Sequence, residues 1–318
     1  MKKIIKYNLF LSIVYSIHLH YYIKSGKNAQ RANRLYRKFL ISGKNNCIVK
    51  SKTNGHPFFC NYAHQLPFYQ KQFPLYDRQL SALCHHLHNE LRRTINIVDV
   101  GANVGDTVLN IGLKDAFYLC VEGNESFAKL IQYNLNHRYN YSLETCYLTD
   151  DSTEKNYRPE TTNGTNRLVL SDNNSCEKGV ITQTLDQLIE AKYKGRIFDL
   201  IKIDTDGFDF KVIRGAKQYL EQWHPLLFFE WDKAYCKEQR EDPLSIFPIL
   251  DNLGYSDCIL FDNFGNPFNL VQTSDTTELC DCIEKTIGDG LPFYYDVLAV
   301  NKEGAFSASQ LYKLFSNR

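Results

Sequence analysis

The chain has 318 residues, of which 43% are hydrophobic and 23% are charged, and this composition excludes a mainly disordered protein. Its 37 Lys and Arg residues nearly balance 36 Asp and Glu residues, so the net charge of +1 does not indicate a nucleic acid or an acidic polymer as the partner. The ten cysteines include no Cys-x-x-Cys pair, which favours reduced thiols and a cytoplasmic location.

An uncharged, largely apolar segment lies between Lys6 and Lys24. Polar residues interrupt it, and it is borderline for the ~20 apolar residues that a membrane-spanning helix needs. A small-residue cleavage site, as in a signal peptide, does not follow it. Lys- and Arg-rich flanks leave three hypotheses open: a helix packed on the domain or on a second copy in a homodimer, peripheral contact of residues 1–24 with the inner face of a membrane, and a true span.

Three regions are predicted along the chain: an apolar helix and aromatic-rich arm at residues 1–90, a catalytic domain at 91–303 and a C-terminal tail at 304–318. Within the domain, short apolar runs alternate with helical periods, which is typical of a doubly wound, mostly parallel α/β sheet. About seven strands are expected, with an irregular polar insertion at 149–179 and a hairpin near Arg167. The apolar runs lie at residues 95–100, 117–122, 143–148, 180–182, 198–204, 225–230, 255–262 and 293–300.

The first motif, DVGANVGD at residues 99–106, joins a buried strand to a helix through Gly101 and Gly105. Glycines at such a turn let the backbone approach a ligand closely. Glu122 ends the second strand, 21 residues after Gly101. Because a carboxylate at that position can accept both hydroxyls of a ribose, the motif predicts a cofactor that contains adenosine.

The spacing of the glycines bears on which cofactor is bound. Asn103 stands where the dinucleotide fingerprint G-x-G-x-x-G has its middle glycine, and Asp99 and Asp106 would repel a pyrophosphate. S-adenosylmethionine has no phosphate and carries a positive sulfonium, so it tolerates nearby acids. The motif therefore favours S-adenosylmethionine over NAD, while a purely structural strand–turn–helix is the third interpretation.

The second motif is IKIDTDGFD, at residues 201–209. Strand alternation places Lys202 and Asp204 on one face, and a lysine in an apolar strand needs a carboxylate partner. Asp206 lies in the following turn, where it either caps the next helix or joins the reaction centre. Glu230 ends the neighbouring apolar run. Asp204, Asp206 or Glu230 is predicted to accept a proton from a hydroxyl, and the same three acids are the candidate ligands of a divalent cation such as Mg²⁺.

These motifs resemble the FkbM family of S-adenosylmethionine-dependent methyltransferases, from about Leu66 to Val300. The resemblance rests on DVGANVGDT at 99–107, VEGNESF at 121–127, the stretch 184–216 that contains FDLIKIDTDGFDFKVIRGA, and PLLFFEWD at 225–232. It implies a Rossmann-like class I methyltransferase sheet and O-methyl transfer to a sugar hydroxyl of a surface polysaccharide or to a natural-product hydroxyl. It also implies cofactor contacts at Asp99, Gly101, Asn103, Gly105 and Glu122, and a reaction centre at Asp204 and Asp206 with Glu230 facing it. Lys202 is a further candidate for the reaction centre and Asn124 for cofactor binding.

The segment at residues 66–80 contains candidates for binding the acceptor. Tyr69, Tyr76 and Arg78 are predicted to cover the cofactor site or to contact a sugar, and packing is the alternative role for the two aromatic residues. Two other function classes stay open beside the methyltransferase: an oxidoreductase that uses NAD, and a non-catalytic protein that keeps the fold. Nucleic acid is not expected as a partner.

Overall fold

The N-terminal arm contains four helices and a β-hairpin in the computed structural model, which describes residues 6–53, 55–151, 157–162, 164–170, 180–286 and 293–316. Its elements are α1 (Leu9–Tyr21), α2 (Lys27–Ile41), β1 (Ile48–Thr53), β2 (His56–Asn61), α3 (Leu66–Gln72) and α4 (Arg78–Leu91). The side chain of Asn8 caps α1 by accepting a hydrogen bond from the N–H of Leu11 at 2.9 Å. The sequence analysis did not predict the hairpin, in which Val49 and Ser51 point inward while Lys50 and Lys52 point outward.

Strands and helices alternate through the rest of the chain. The elements are β3 (Asn96–Val100), α5 (Asp106–Ile111), β4 (Phe117–Val121), α6 (Glu125–Leu135), β5 (Asn140–Glu144), β6 (Tyr147–Leu148), β7 (Tyr157–Thr162), β8 (Thr165–Leu170), β9 (Thr182–Gln183), α7 (Leu185–Lys192), β10 (Leu200–Ile203), α8 (Asp209–Arg214), α9 (Lys217–Trp223), β11 (Leu226–Trp231), α10 (Lys233–Glu238), α11 (Ile246–Asn252), β12 (Tyr255–Asp262), β13 (Pro267–Gln272), α12 (Thr276–Lys285), β14 (Tyr295–Asn301) and α13 (Ala308–Ser316).

The central sheet has the strand order β13-β12-β14-β11-β10-β3-β4-β5. Strands β11, β10, β3, β4 and β5 pair in parallel, whereas β14 is antiparallel to both β11 and β12. This confirms a doubly wound, mostly parallel α/β fold. From β3 the chain proceeds to β4 and β5 on one side, and it later returns to β10 and β11 on the other. The strand order therefore reverses between β3 and β10, where ligands bind in folds of this kind.

The sheet has eight strands rather than the predicted seven. The additional strand, β13, forms an antiparallel hairpin with β12, and its mixture of polar and apolar residues gave no clear strand pattern. The apolar run at 143–148 is divided: its first part belongs to β5, and the short β6 pairs with β9 outside the central sheet. The hairpin predicted near Arg167 is formed by β7 and β8. Residues 152–156, 163 and 171–179 of the predicted insertion lie outside the described residues.

Two apolar layers enclose the sheet, and one of them includes the arm. Tyr15, Phe58 and Phe68 of the arm belong to the same buried cluster as Ile97 and Tyr118 of the sheet. On the opposite face, the sheet packs against apolar residues of α7, α8, α9, α11 and α12. Most aromatic side chains of the arm therefore stabilise its packing on the sheet. Within the described residues, no helix is both long enough and apolar enough to cross a membrane.

Candidate functional site

A cavity of about 360 Å³ lies at the carboxyl ends of β3, β4, β10 and β11, beside the point where the strand order reverses. The turns after these strands form one side of its wall, and α3, α4 and the start of β14 form another. Lys202 is the one Lys or Arg side chain among the described residues that line it. The lining includes seven carboxylates, those of Asp77, Asp106, Glu122, Asp204, Asp206, Glu230 and Asp296.

The turn between β3 and α5 lies directly against the end of β10. Gly101 has a φ of +78°, and a Cβ atom there would overlap with the backbone carbonyl oxygen of Asp204. Gly101, which was predicted to contact the cofactor, lines the cavity, and its lack of a side chain permits the close approach to Asp204. Gly105 immediately precedes α5 and has a φ of +82°, but it faces the side chain of Leu135 and does not line the cavity. The second glycine thus serves the packing of the turn on α6.

Glu122 connects the glycine turn to the end of β4. Its Oε2 accepts a hydrogen bond from the N–H of Asn103 at 2.9 Å, and its Oε1 accepts one from the N–H of Asn124 at 2.7 Å. Burial raises the pKa of Glu122 to about 8, although the two N–H donors oppose the shift. Asn103 lines the cavity, and its buried Oδ1 has no hydrogen-bond partner among the described residues. Asn124, which is not part of the lining, caps α6 by accepting hydrogen bonds from the N–H groups of Ser126 and Phe127.

Lys202 lies between two carboxylates at the reversal of strand order. It is opposite Asp99 in the register of β10 and β3, and its Nζ is 3.1 Å from Oδ1 of Asp99 and 3.2 Å from Oδ2 of Asp204. Burial by itself would lower the pKa of Lys202, but Asp204, Asp99 and Asp106 outweigh burial and hold it well above its usual value. Asp99 is fully buried beneath the cavity, whereas Asp204 lines the cavity. The lysine therefore connects a buried acid to an accessible one.

Asp209 positions the turn that follows β10. Its Oδ2 accepts hydrogen bonds from the hydroxyl of Thr205 at 2.8 Å and from the N–H groups of Thr205 and Gly207 at 3.3 and 3.4 Å. Its Oδ1 accepts one from the N–H of Glu230 at 3.3 Å. The sequence analysis gave Asp209 no role, and an acid in the first turn of α8 was the available signal. Asp206 does not cap that helix; with a φ of +52°, it accepts a hydrogen bond from the hydroxyl of Tyr235 at 3.2 Å.

The three acids predicted to bind Mg²⁺ do not form a metal site among the residues that the structure describes. Within the described ranges, no group of three or more His, Cys, Asp or Glu residues is arranged to hold a metal ion. Asp204, Asp206 and Glu230 all line the cavity, but Asp204 is directed towards Lys202 and Asp206 towards Tyr235. Burial raises the pKa of Asp206 to about 7, and burial together with neighbouring acids raises that of Glu230 well above its usual value.

The arm supplies part of the cavity wall. Tyr69 and Tyr76, two of the three residues predicted to cover the cofactor or contact a sugar, line it, whereas the third, Arg78, is exposed at the start of α4 and does not. Burial raises the pKa of Asp77, another lining residue, to about 8. The amide of Gln79 donates a hydrogen bond to Asp296 at 3.0 Å. Sequence reasoning missed Asp296 because β14 runs antiparallel, so its amino end, not its carboxyl end, meets the cavity.

With this geometry established, comparisons with known proteins identify the domain. Residues 99–256 match the family model described as the methyltransferase FkbM domain. This stretch is an FkbM methyltransferase domain. The match begins at Asp99 and includes Glu122, Lys202, Asp204 and Glu230, so the strand-end residues of the cavity all lie within the FkbM domain. A search of curated proteins finds no match.

Solved methyltransferase structures are similar only at low identity. An FkbM methyltransferase from Methylobacillus flagellatus KT is 14% identical with a TM-score of 0.32, over 50% of this chain and 37% of that chain. A TehB-like S-adenosylmethionine-dependent methyltransferase from Corynebacterium glutamicum is 10% identical with a TM-score of 0.37, over 72% and 89%. Magnesium protoporphyrin IX methyltransferase from Synechocystis PCC 6803, solved with S-adenosylhomocysteine, is 12% identical with a TM-score of 0.38, over 74% and 88%. The present chain thus spans little more than a third of the FkbM relative, and none of the three indicates its ligand.

The FkbM domain has a cavity whose charge suits S-adenosylmethionine. Seven acidic side chains line the cavity beside one lysine. Raised pKa values keep several of them protonated near neutral pH, and positive ligand groups, such as the sulfonium and ammonium of that cofactor, favour their ionised form, whereas a pyrophosphate is repelled by it. The Oδ1 atoms of Asn103 and Asp106 are buried acceptors that have no partner among the described residues. Ligand hydroxyl or ammonium groups would satisfy such acceptors. The residues at the ends of β3 and β4 therefore fit the cofactor of this family.

Proposed function

We propose that the chain is an S-adenosylmethionine-dependent O-methyltransferase that acts on a sugar hydroxyl in a surface polysaccharide or a related glycoconjugate. The observation that carries the proposal is the acidic cavity at the carboxyl ends of β3, β4, β10 and β11, in which seven acidic side chains surround Lys202 in a chain that contains an FkbM methyltransferase domain. A cationic cofactor and an uncharged acceptor are compatible with this charge distribution.

The cofactor is assigned to the side of the cavity formed by β3 and β4. Glu122 would accept hydrogen bonds from the ribose hydroxyls, and the backbone of Gly101 and Asn103 would lie against the ligand. Asp99 acts indirectly, because it is fully buried and holds Lys202 in place. When bound, S-adenosylmethionine supplies an electrophilic methyl group on its sulfonium.

Asp204 is assigned as the group that receives the hydroxyl proton. It lines the cavity, 53% of its side chain is exposed, and the ammonium of Lys202 lies 3.2 Å from its Oδ2. The Asp204 carboxylate would take the proton of the acceptor hydroxyl as that oxygen bonds to the methyl carbon and the bond from this carbon to the sulfonium sulfur breaks, which would leave S-adenosylhomocysteine as the neutral leaving group. Asp206 and Glu230, whose pKa values are raised, would hold protons near neutral pH and donate hydrogen bonds to the acceptor. Asp209 fixes the turn that carries Asp204.

The acceptor is assigned to the side formed by the arm and β14. Tyr69, Tyr76 and Tyr294 line this side together with Asp77 and Asp296. Aromatic rings beside carboxyl groups offer both an apolar face and hydrogen bonds, which is the combination that a sugar ring needs.

The competing function, a dinucleotide oxidoreductase, would place a pyrophosphate among carboxylates that repel it.

Transfer of a labelled methyl group tests the proposal. The intact chain is incubated with methyl-labelled S-adenosylmethionine and separate glycan fractions of a cell envelope. We expect base-stable label in a glycan fraction, as an O-methyl ether gives, and permethylation analysis to place it on a sugar oxygen. Label confined to lipid, protein or nucleic acid would reject the sugar acceptor, and turnover of NAD without any methyl transfer would reject the methyltransferase assignment.

A further inference from the structure

Charge is divided unevenly along the sequence. Residues 1–76 contain 13 Lys and Arg residues and no Asp or Glu, and the first acid of the chain is Asp77. The other 24 basic residues share positions 77–318 with all 36 acids. The net charge of +1 therefore combines a strongly basic arm with an acidic remainder. Such an arm is attracted to a negatively charged surface.

Helix α1 has apolar residues on its outward side as well as its inward side. Leu11, Val14 and Tyr15 are buried against the domain. A helix that is apolar all round is normally covered on every side. The outward residues of α1 have large exposed fractions: Leu9 63%, Phe10 58%, Ile13 50% and Ile17 42%. Several large apolar side chains exposed together indicate a surface that binds a partner.

Helix α2 adds basic residues beside this apolar row. The rings of Phe10 on α1 and Phe39 on α2 lie 5.5 Å apart, so the two helices are neighbours. Helix α2 buries Ala32 and Tyr36, and neither helix contains an acid. Its exposed side chains include Arg31, Arg34, Leu35, Arg37, Lys38 and Ile41. Apolar residues combined with Lys and Arg are typical of helices that lie in the interface of a membrane.

This surface is adjacent to the wall of the cavity. Lys71 of α3 donates hydrogen bonds to the carbonyl oxygens of Leu19 and His20 at the end of α1. Tyr69 of the same short helix lines the cavity and is 41% exposed. An acceptor carried by a partner that binds α1 would therefore lie near the side of the cavity to which the acceptor is assigned.

We propose that the outward sides of α1 and α2, here called the arm surface, bind an anionic lipid bilayer. Lipid headgroups would pair with Arg31, Arg34 and Arg37, and the acyl region would cover the apolar residues of α1. A nucleic acid would pair with the basic residues but leave Ile13 and Ile17 in water. A second copy would cover them but bring two basic surfaces together. An anionic bilayer would both pair with the basic residues and cover the apolar residues of the arm surface.

Sedimentation with lipid vesicles tests this inference without depending on the proposed function, because methyl transfer is not measured. The intact chain is mixed with vesicles of phosphatidylcholine alone or of phosphatidylcholine with phosphatidylglycerol. We expect binding to the anionic vesicles, weakened by salt, and little binding to the neutral ones. The double variants Ile13→Ser/Ile17→Ser and Arg34→Glu/Arg37→Glu should each lower the partition coefficient about tenfold or more.

Matched variants on the domain separate the arm surface from general changes in charge or polarity. The control for polarity is Ile181→Ser/Ile197→Ser, which changes two residues that are 81% and 43% exposed. The control for charge is Lys217→Glu/Lys302→Glu, which reverses two exposed charges. Neither control should alter vesicle binding more than twofold. Circular dichroism checks that all four variants are folded. Failure of the wild-type chain to bind anionic vesicles would overturn the proposal, as would an equal loss in the control variants. Conversion of a dimer to a monomer by Ile13→Ser/Ile17→Ser, with vesicle binding unchanged, would also overturn it.

Discussion

Lys202 and Asp204 form an ion pair at the end of β10, with Nζ 3.2 Å from Oδ2, although the lysine is buried and 53% of the Asp204 side chain is exposed. Asp99 lies on the other side of the same ammonium at 3.1 Å and is fully buried. One cation is therefore shared by an acid within the sheet and an acid in the cavity. This arrangement couples the stability of the fold to the chemistry of the site.

Replacing Lys202 should destabilise the protein strongly. Lys202→Met removes the cation and leaves the buried Asp99 without its partner, so the free energy of unfolding should fall by about 3 kcal/mol or more. Urea unfolding measures the change. In the double variant Asp99→Asn/Lys202→Met neither of these two buried charges remains, and at least about 1 kcal/mol should be recovered. Wild-type stability in Lys202→Met would show that the pair contributes nothing to the fold.

Replacing Asp204 should reduce methyl transfer and leave cofactor binding nearly intact. Asp204→Asn keeps the shape of the side chain but removes the proton acceptor, so kcat should fall about 100-fold or more. The Kd for S-adenosylhomocysteine should change less than about threefold, because Glu122 is assigned to the ribose. Asp281→Asn, an exposed change on α12, serves as the control. An unchanged kcat in Asp204→Asn would remove this residue from the reaction centre.

Stability should decrease as pH rises through neutrality. Burial raises the pKa values of Asp77 and Glu122 to about 8 and that of Asp206 to about 7, far above the ~4 of an unfolded carboxyl. The folded state thus holds more protons than the unfolded state, and the stabilisation is lost as pH passes through the folded pKa values. Burial lowers the pKa values of His18 and His64 to about 4, which has the opposite effect but ends near pH 6.5.

Between pH 6.5 and 8 the histidines no longer oppose the effect of the carboxyl groups, and the free energy of unfolding should fall by about 2 kcal/mol or more. Urea unfolding at several pH values measures the slope, which Glu122→Gln should flatten. As the cavity acids ionise, their negative charges repel one another, and a cationic ligand offsets this repulsion. The increase in Tm given by S-adenosylmethionine should therefore grow with pH relative to that given by S-adenosylhomocysteine, whose sulfur is uncharged. A stability that rises across this window would contradict the raised pKa values of the cavity acids.

Replacing Gly101 should disrupt the contact between the glycine turn and β10. Gly101→Ala places a Cβ atom onto the carbonyl oxygen of Asp204 and should cost about 4 kcal/mol of stability. Gly195→Ala is the matched control, because Gly195 also has a φ of +78° but has no atom within 4 Å of the added Cβ. It should cost only the ~1 kcal/mol of the backbone conformation. Equal losses in the two variants would show that the close approach to Asp204 is unimportant.

The sequence predicted the strand-end residues of the site because their pattern is local. Glu122 and Asp204 each end an apolar run, and alternation places Lys202 and Asp204 on one face of a strand. The ion pair with Asp99 depends on the register of two strands about 100 residues apart, so the cost of burying an unpaired lysine predicted only that Lys202 has a carboxylate partner, not that Asp99 is one.

The missed features depend on tertiary structure. Asp77 reaches the cavity because the arm folds over the sheet, and Asp296 reaches it because β14 runs antiparallel. The local sequence around these residues does not predict either arrangement. The three acids predicted to bind Mg²⁺ are not arranged as a metal site in the described part of the chain, because Asp204 and Asp206 are directed to Lys202 and Tyr235, which the proximity of the acids in sequence did not reveal. The role of Asp209 requires knowing where the turn after β10 places its N–H groups.

Calorimetric titration with S-adenosylhomocysteine, and in parallel with NAD, tests the cofactor assignment most directly. We expect saturable binding of S-adenosylhomocysteine to the intact chain and no measurable heat from NAD. Glu122→Gln should weaken the binding about tenfold, because one carboxylate oxygen would no longer accept a ribose hydroxyl. Saturable binding of NAD together with no binding of S-adenosylhomocysteine would contradict the assignment of this cavity to a methyltransferase.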